Sequence, residues 1–204
     1  MSPIVSDEYK QKKKQQILDS ALICFARKGF QVATIDEIVK HSGISKGAIY
    51  NYFKSKDEIY LALMTEQTET NNAKLLNKIA EFQTATEKLN YIFERYKEMD
   101  PYEKDRKKTI VVHLEFTLHS SRDEEINHIL KERGSKFFLK LIMDIIKEGQ
   151  GSGEFRNDID LLVVANMFWT VIDGAMLHTI VNNEFPYGKV IEHYQRMIMT
   201  FLEK

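Results

Sequence analysis

Lys46, Gly47, Tyr50, Asn51 and Tyr52 are the residues most clearly spaced for chemistry in this sequence, and that chemistry is contact with a polyanion rather than bond making. The Lys46 ammonium can donate to guanine acceptors or to a phosphate. Gly47 lets another backbone approach closely. Tyr50 and Tyr52 can hydrogen-bond phosphates while their rings pack against sugar or a thymine methyl. Bond-making alternatives find little support. The chain has no Gly-rich phosphate loop and no nucleophile elbow. Its six histidines, His41, His113, His119, His128, His178 and His193, lack the i, i+4 pairing or cysteine partners of a metal site. No catalytic residue, metal or cofactor is therefore expected.

Two short helices must position that face. They lie in Thr34 to Lys56, which reads TIDEIVKHSGISKGAIYNYFKSK. Thr34 and Glu37 form a capping box, so a helix starts at Ile35, with Ile35, Ile38 and Val39 as its apolar stripe. Gly43 ends it, because glycine adopts the left-handed turn conformation without steric cost. Ser45 is an N-cap for a second helix over Lys46 to Phe53. That helix has only Ala48, Ile49 and Phe53 as apolar residues, too few for a core helix. Two helices joined by a short glycine turn make a helix-turn-helix, whose second helix enters the major groove of DNA. Hairpins of this kind are also common in protein cores. Here the polar-aromatic face has no apolar run to bury it.

The run Gly43-Ile44-Ser45-Lys46-Gly47-Ala48-Ile49-Tyr50-Asn51-Tyr52-Phe53, followed by Lys54-Ser55-Lys56-Asp57-Glu58, resembles the DNA-binding signature of the TetR/AcrR family of bacterial transcriptional regulators. Upstream, Ile17, Leu18, Ala21, Phe25, Gly29, Thr34 and Ile38 sit where that family's pattern expects them. The match is dense over about residues 12 to 64; beyond it only length, helical character and helix order agree. The resemblance implies an all-α homodimer, a ligand pocket in the C-terminal domain, and repression relieved by a small molecule.

The chain has 204 residues, 43% of them apolar, enough for one large or two modest domains. Its single cysteine, Cys24, excludes an internal disulfide and fits a reducing compartment. The N-terminus is polar and basic, and the apolar run Leu161 to Leu177 is interrupted by Asn166, Thr170 and Asp173. The expectation is a cytoplasmic protein with no membrane partner. The net charge of −1 hides an asymmetry: residues 1–56 hold ten Lys and Arg against five Asp and Glu. A basic head on an acidic body suits DNA.

Residues 1–8 read as an unstructured start. Lys12, Lys13 and Lys14 then stand at the N-terminus of a first helix, where the dipole disfavours cations and a phosphate would compensate. Thr34, Ser45, Lys54 and Lys56 join them as candidate backbone contacts. Ser55 and Glu58 cap a long helix running to about Phe82, whose middle, Thr65 to Asn72, is polar. Thr84 and Glu87 cap the next. Residues 103–108 read as loop and Ile110 to Leu118 as a central helix, with His113 inward and Glu115 toward solvent. A helix from Ser121 to about Glu148 bends at Gly134, and Gly149 to Gly153 is a turn. Two final helices run from Asp158 to near Asn182 and from Pro186 onward. In all, about nine helices are expected. They divide into a helix-turn-helix DNA-binding domain, 1–54, and an effector-binding and dimerisation domain, 55–204.

An effector pocket could be lined by Tyr96, Met99, His113, Phe116, Phe137, Met167, Trp169, Thr170 and Asp173, mostly apolar with a few polar groups. The same residues suit an ordinary core. Leu161, Ala165, Phe168 and Ile172, with Ile191, Tyr194, Ile198 and Phe201, repeat at spacings that fit a four-helix bundle across a two-fold axis; they also fit a closed monomer core. The expected function is a homodimeric repressor released from a palindromic operator by a small hydrophobic effector. A constitutive DNA binder and a helical protein-interaction module remain open as alternatives.

Overall fold

The alternation of capping residues and apolar stripes builds helices throughout. The computed structural model describes residues 6–203, without the side chains of 66–70 and 133–136. Most of the expected unstructured start, and part of the polar middle of the long helix, thus lie outside the described residues. Ten α-helices are present among the described residues: α1 (Asp7–Lys28), α2 (Ile35–Ser42), α3 (Lys46–Tyr50), α4 (Lys56–Ile79), α5 (Ala85–Lys97), α6 (Lys104–Ser120), α7 (Glu124–Gly134), α8 (Lys140–Ser152), α9 (Leu161–Val181) and α10 (Tyr187–Leu202). The bend expected at Gly134 is a π-helical turn, Ser135–Leu139, between α7 and α8.

Several boundaries differ from expectation, each for a local reason. Ser6 caps α1 by accepting from the Tyr9 N–H at 3.3 Å, so Asp7 and Glu8 are helical and fill its first turn. Residues 104–108 are helical because Glu103 accepts the N–H groups of Asp105 and Arg106, each at 2.9 Å. α8 runs through the expected turn and stops at Gly153, φ 83°, ψ 8°. The N-cap of α9 is Asp160, which accepts from the Leu162 and Val163 N–H groups; Asp158 is instead clamped by the Arg156 guanidinium.

The chain forms two compact units, one holding residues up to Lys74 and 111–119, the other 75–110 and 120 onward. α4 and α6 therefore each belong to both, which a single cut at 54/55 does not describe. In the first unit α1, α2 and α3 enclose Ile17, Leu18, Phe25, Ile38 and Ile49, all fully buried. The end of α6 contributes Phe116, stacked on Tyr60 with centroids 3.6 Å apart, and Phe30 meets both rings edge-on. In the second unit α5, α8, α9 and α10 pack around Leu89, Phe93, Ile142, Phe168, Ile172 and Ile191. α9 has the length and composition of a membrane span. One side of it, including Val164, Ala165, Phe168 and Ile172, packs into this core.

Candidate nucleic-acid interface

The hairpin is held by its own caps and by side chains of α1. Thr34 Oγ1 accepts from Glu37 N–H at 3.3 Å, and Glu37 Oε2 accepts from Thr34 N–H at 3.1 Å. Glu37 also meets the Lys28 ammonium, and these contacts hold its carboxyl below the usual range. α2 ends at Gly43, φ 68°, whose N–H returns to Val39 O at 2.9 Å. Ile44 plugs the corner, and Gln16 of α1 donates to Ser42 O at 2.7 Å. Ser45 Oγ accepts from Ala48 N–H at 3.3 Å and starts α3. α3 is only five residues long; Asn51 and Tyr52 form a turn that brings Phe53 back into the core.

This geometry leaves Ser45, Lys46, Gly47, Tyr50 and Asn51 exposed and Tyr52 half-buried. A Cβ built on Gly47 would meet nothing within 4 Å. The fold therefore does not demand glycine there, whereas close approach by another molecule would. Lys46 Nζ lies 2.8 Å from Asp36 Oδ1 on α2, and that contact raises the lysine's pKa.

The expected backbone contacts separate into two groups. Lys54 is exposed, with its N–H on Glu58 Oε2 at 2.5 Å. Lys12 is exposed and Lys13 and Lys14 are half-buried in the second turn of α1, beyond the acidic first turn, so the dipole argument for a phosphate there does not hold. Lys56 is a correction. Its ammonium donates to Phe30 O at 2.5 Å, Gln31 O at 3.1 Å and Ala33 O at 3.0 Å, and it sits 4.5 Å from the Phe30 ring centroid. An ammonium has three donors, so none remains for a phosphate. Burial pushes its pKa down.

The end of α6 reverses another expectation. His113 is exposed, with Nδ1 2.8 Å from the Tyr60 hydroxyl, and Glu115 is half-buried. Val112 and Phe116 take the inward face, which turns Glu115 onto the loop 29–33. Its Oε2 accepts from Phe30 N–H at 2.7 Å, beside Gly29, φ 84°. His119 bridges Gln31 and Asp57. Sequence reasoning missed this clamp, because residues 85 positions apart leave no local pattern.

The nine expected pocket residues are divided between the two units. His113 and Phe116 belong to the first unit, Phe116 fully buried. Met167 and Thr170 are exposed and line a shallow groove of about 400 Å³ with Leu162, Val163, Asn166 and Val171. The others do approach one another. Tyr96 meets Trp169 edge-on at 5.9 Å, Trp169 Nε1 donates to Phe138 O at 2.9 Å, and Met99 and Phe137 pack against the same core. Asp173 lies one turn beyond Trp169, surface-exposed yet partly desolvated, which raises its pKa. The buried hydroxyls of Tyr187 and Tyr194 have no hydrogen-bond partner among the described residues.

The expected dimer residues are likewise mostly internal. Ala165, Phe168 and Ile191 are fully buried, Ile172, Tyr194 and Ile198 nearly so, and Leu161 is half-buried; of the eight only Phe201 is exposed. Core-facing and surface-facing apolar residues alternate around each helix, and the stripe selected from sequence is the inward one. The outward apolar residues are Leu162, Val163, Met167, Leu177 and Val181 on α9 and Met197 and Phe201 on α10.

Comparison with known proteins agrees with this arrangement. A family model described as bacterial regulatory proteins, tetR family, matches residues 17–63, and one described as YsiA-like protein, C-terminal region, matches 64–200. The chain is 29% identical to the uncharacterized HTH-type transcriptional regulator YfiR of Bacillus subtilis, over 90% of this chain and 88% of that protein. It is 28% identical to the fatty acid metabolism regulator protein of the same organism, over 86% and 87%. The crystal structure of the regulator FadR from Bacillus subtilis in complex with stearoyl-CoA shares the fold, with TM-score 0.78 and 24% identity over 93% of this chain and 99% of that one.

Proposed function

The chain belongs to the TetR family and is a DNA-binding transcriptional regulator, and from that premise we propose that it is a homodimeric repressor released from a palindromic operator by a hydrophobic effector. The observation that carries the reading is the exposed row Lys46, Gly47, Tyr50 and Asn51, presented by a hairpin whose other face is buried. Each α3 enters a major groove, with half-sites about one helical turn or a multiple apart. Lys12, Lys13, Lys14 and Lys54 supply phosphate contacts. As a regulator of transcription the protein acts in the cytoplasm.

FadR was crystallised with stearoyl-CoA, so long-chain acyl thioesters are the first effectors to try. The aromatic row of Tyr96, Trp169 and Phe138, with Met99 and Phe137, supports a hydrophobic ligand in the second unit. α4 and α6 run through both units, so a ligand that shifts either helix reaches the reading head. It must bind the two states with different affinity to do so.

Selection from a random duplex pool, then anisotropy against salt for wild type and Tyr50→Ala, tests the reading. A palindromic winner, steep loss of affinity with salt and loss of preference in Tyr50→Ala are expected. Binding that Tyr50→Ala leaves intact would exclude α3 as the reading element. Acyl-CoA that leaves operator affinity unchanged would favour a DNA binder without that ligand control.

A further inference from the structure

Asp36 is an acid placed against the reading row, and nothing in DNA binding so far uses it. It stands in the first turn of α2, exposed, with Oδ1 2.8 Å from Lys46 Nζ. An exposed ion pair of this kind contributes little stability, typically below about 1 kcal/mol. A carboxylate also repels the phosphates that a groove-seated hairpin must approach. The helix dipole favours an acid anywhere in the first turn of α2; what is particular to Asp36 is that it stands against Lys46 of the reading row.

The pair separates two properties of Lys46. Binding to any duplex grows with net positive charge, because each neutralised phosphate releases counterions. Reading a base grows with hydrogen-bond donors aimed at its edge. With Asp36 the pair contributes almost no net charge, yet among the described residues only one of the ammonium's three donors is engaged. The other two remain for acceptors such as guanine O6 and N7. The carboxylate also holds the ammonium against α2, at the start of α3, where the N-terminal residues of a recognition helix meet base edges.

We propose that Asp36 is a specificity-determining residue: it cancels the sequence-independent attraction of Lys46 and positions its ammonium for a base edge instead of a phosphate. The proposal rests on the reading of α3 as the groove element.

The test measures affinity against salt on two probes, the duplex selected from the random pool and a scrambled duplex of the same length. Wild type is compared with Asp36→Asn, Asp36→Glu, Lys46→Gln, Asp36→Asn/Lys46→Gln and Tyr50→Ala. In Asp36→Asn the log–log salt slope on the scrambled duplex steepens by about 0.9, one added phosphate contact. Between 50 and 200 mM salt the variant then loses roughly threefold more affinity for the scrambled duplex than wild type, and its selected-to-scrambled ratio at 50 mM falls. Asp36→Glu restores the wild-type slope. The double variant, again neutral, also shows the wild-type slope on scrambled DNA but has lost preference for the selected duplex.

An unchanged scrambled-duplex slope in Asp36→Asn overturns the proposal, as does a uniform loss on both probes, which would mark a merely structural role. Tyr50→Ala reports separately on the underlying reading. If it keeps the wild-type preference, α3 is not the groove element, and this assignment falls with it. If it loses the preference while Asp36→Asn is silent, only the role of Asp36 is wrong.

Discussion

Lys56 shows how one charge can serve the fold where a surface role was expected. Its ammonium ties the carbonyls of Phe30, Gln31 and Ala33, and Glu115 takes the Phe30 N–H from another helix. The loop 29–33 that joins α1 to α2 is thus held by a cation and an anion, neither paired with the other. Lys56→Met keeps much of the stem's packing on Phe30 but leaves three acceptors, two of them part-buried, without their donor. It should cost about 1–3 kcal/mol, read as a fall in Tm of roughly 2–4 °C per kcal/mol for a chain of this size. Its salt slope on DNA should match wild type, whereas loss of a phosphate-contacting lysine lowers the slope by about one. Glu154 plays a similar part in the second unit. Burial alone would raise its pKa, but the N–H groups of Thr86 and Ala85 and the Ser152 hydroxyl hold it at about 2. A depressed carboxyl stabilises the fold above its unfolded value, about 4.3, and that contribution fades as pH falls through the folded value. Glu154→Gln should lower Tm at neutral pH by the worth of a helix cap, about 1 kcal/mol. It should also flatten the acid limb of Tm against pH.

Among the elements, α8 depends on a missing side chain. A Cβ on Gly149 would lie 2.2 Å from the ring of Phe155, which is buried in the same core. The loop after α8 folds back over the helix because that ring lies where a side chain would otherwise stand. Gly149→Ala should therefore destabilise by about 1–3 kcal/mol through overpacking, measured by denaturant titration. This is the reverse of the usual gain from replacing a helical glycine. Two helix starts were legible in sequence: Thr34 with Glu37 and Thr84 with Glu87 both form the capping boxes their spacing indicates. Starts set by less obvious partners were not. Ser6, Glu103 and Asp160 each shift a boundary by a few residues.

For the whole molecule, the outward apolar strip of α9 and α10 is what a second copy would cover. Met167 and Met197 stand on that strip, whereas Phe168 beside them is fully buried. Met167→Glu or Met197→Glu should give monomers that keep the wild-type Tm extrapolated to low concentration, seen by light scattering. Phe168→Ala should instead cost about 3–5 kcal/mol of fold stability. Equal loss of stability in all three would remove the strip as the dimer surface.

Local rules made the helical class, the hairpin, its glycine turn and the exposed reading row legible from sequence, since caps, turns and periodicity act within a few residues. The inward and outward stripes of α9 and α10 are both apolar, so periodicity alone could not rank them; only packing against α5 and α8 did. The direction of Glu115, the internal role of Lys56 and the meeting of Asp36 with Lys46 were decided by tertiary structure. Each is a contact between elements, and composition and spacing carry no distance between them.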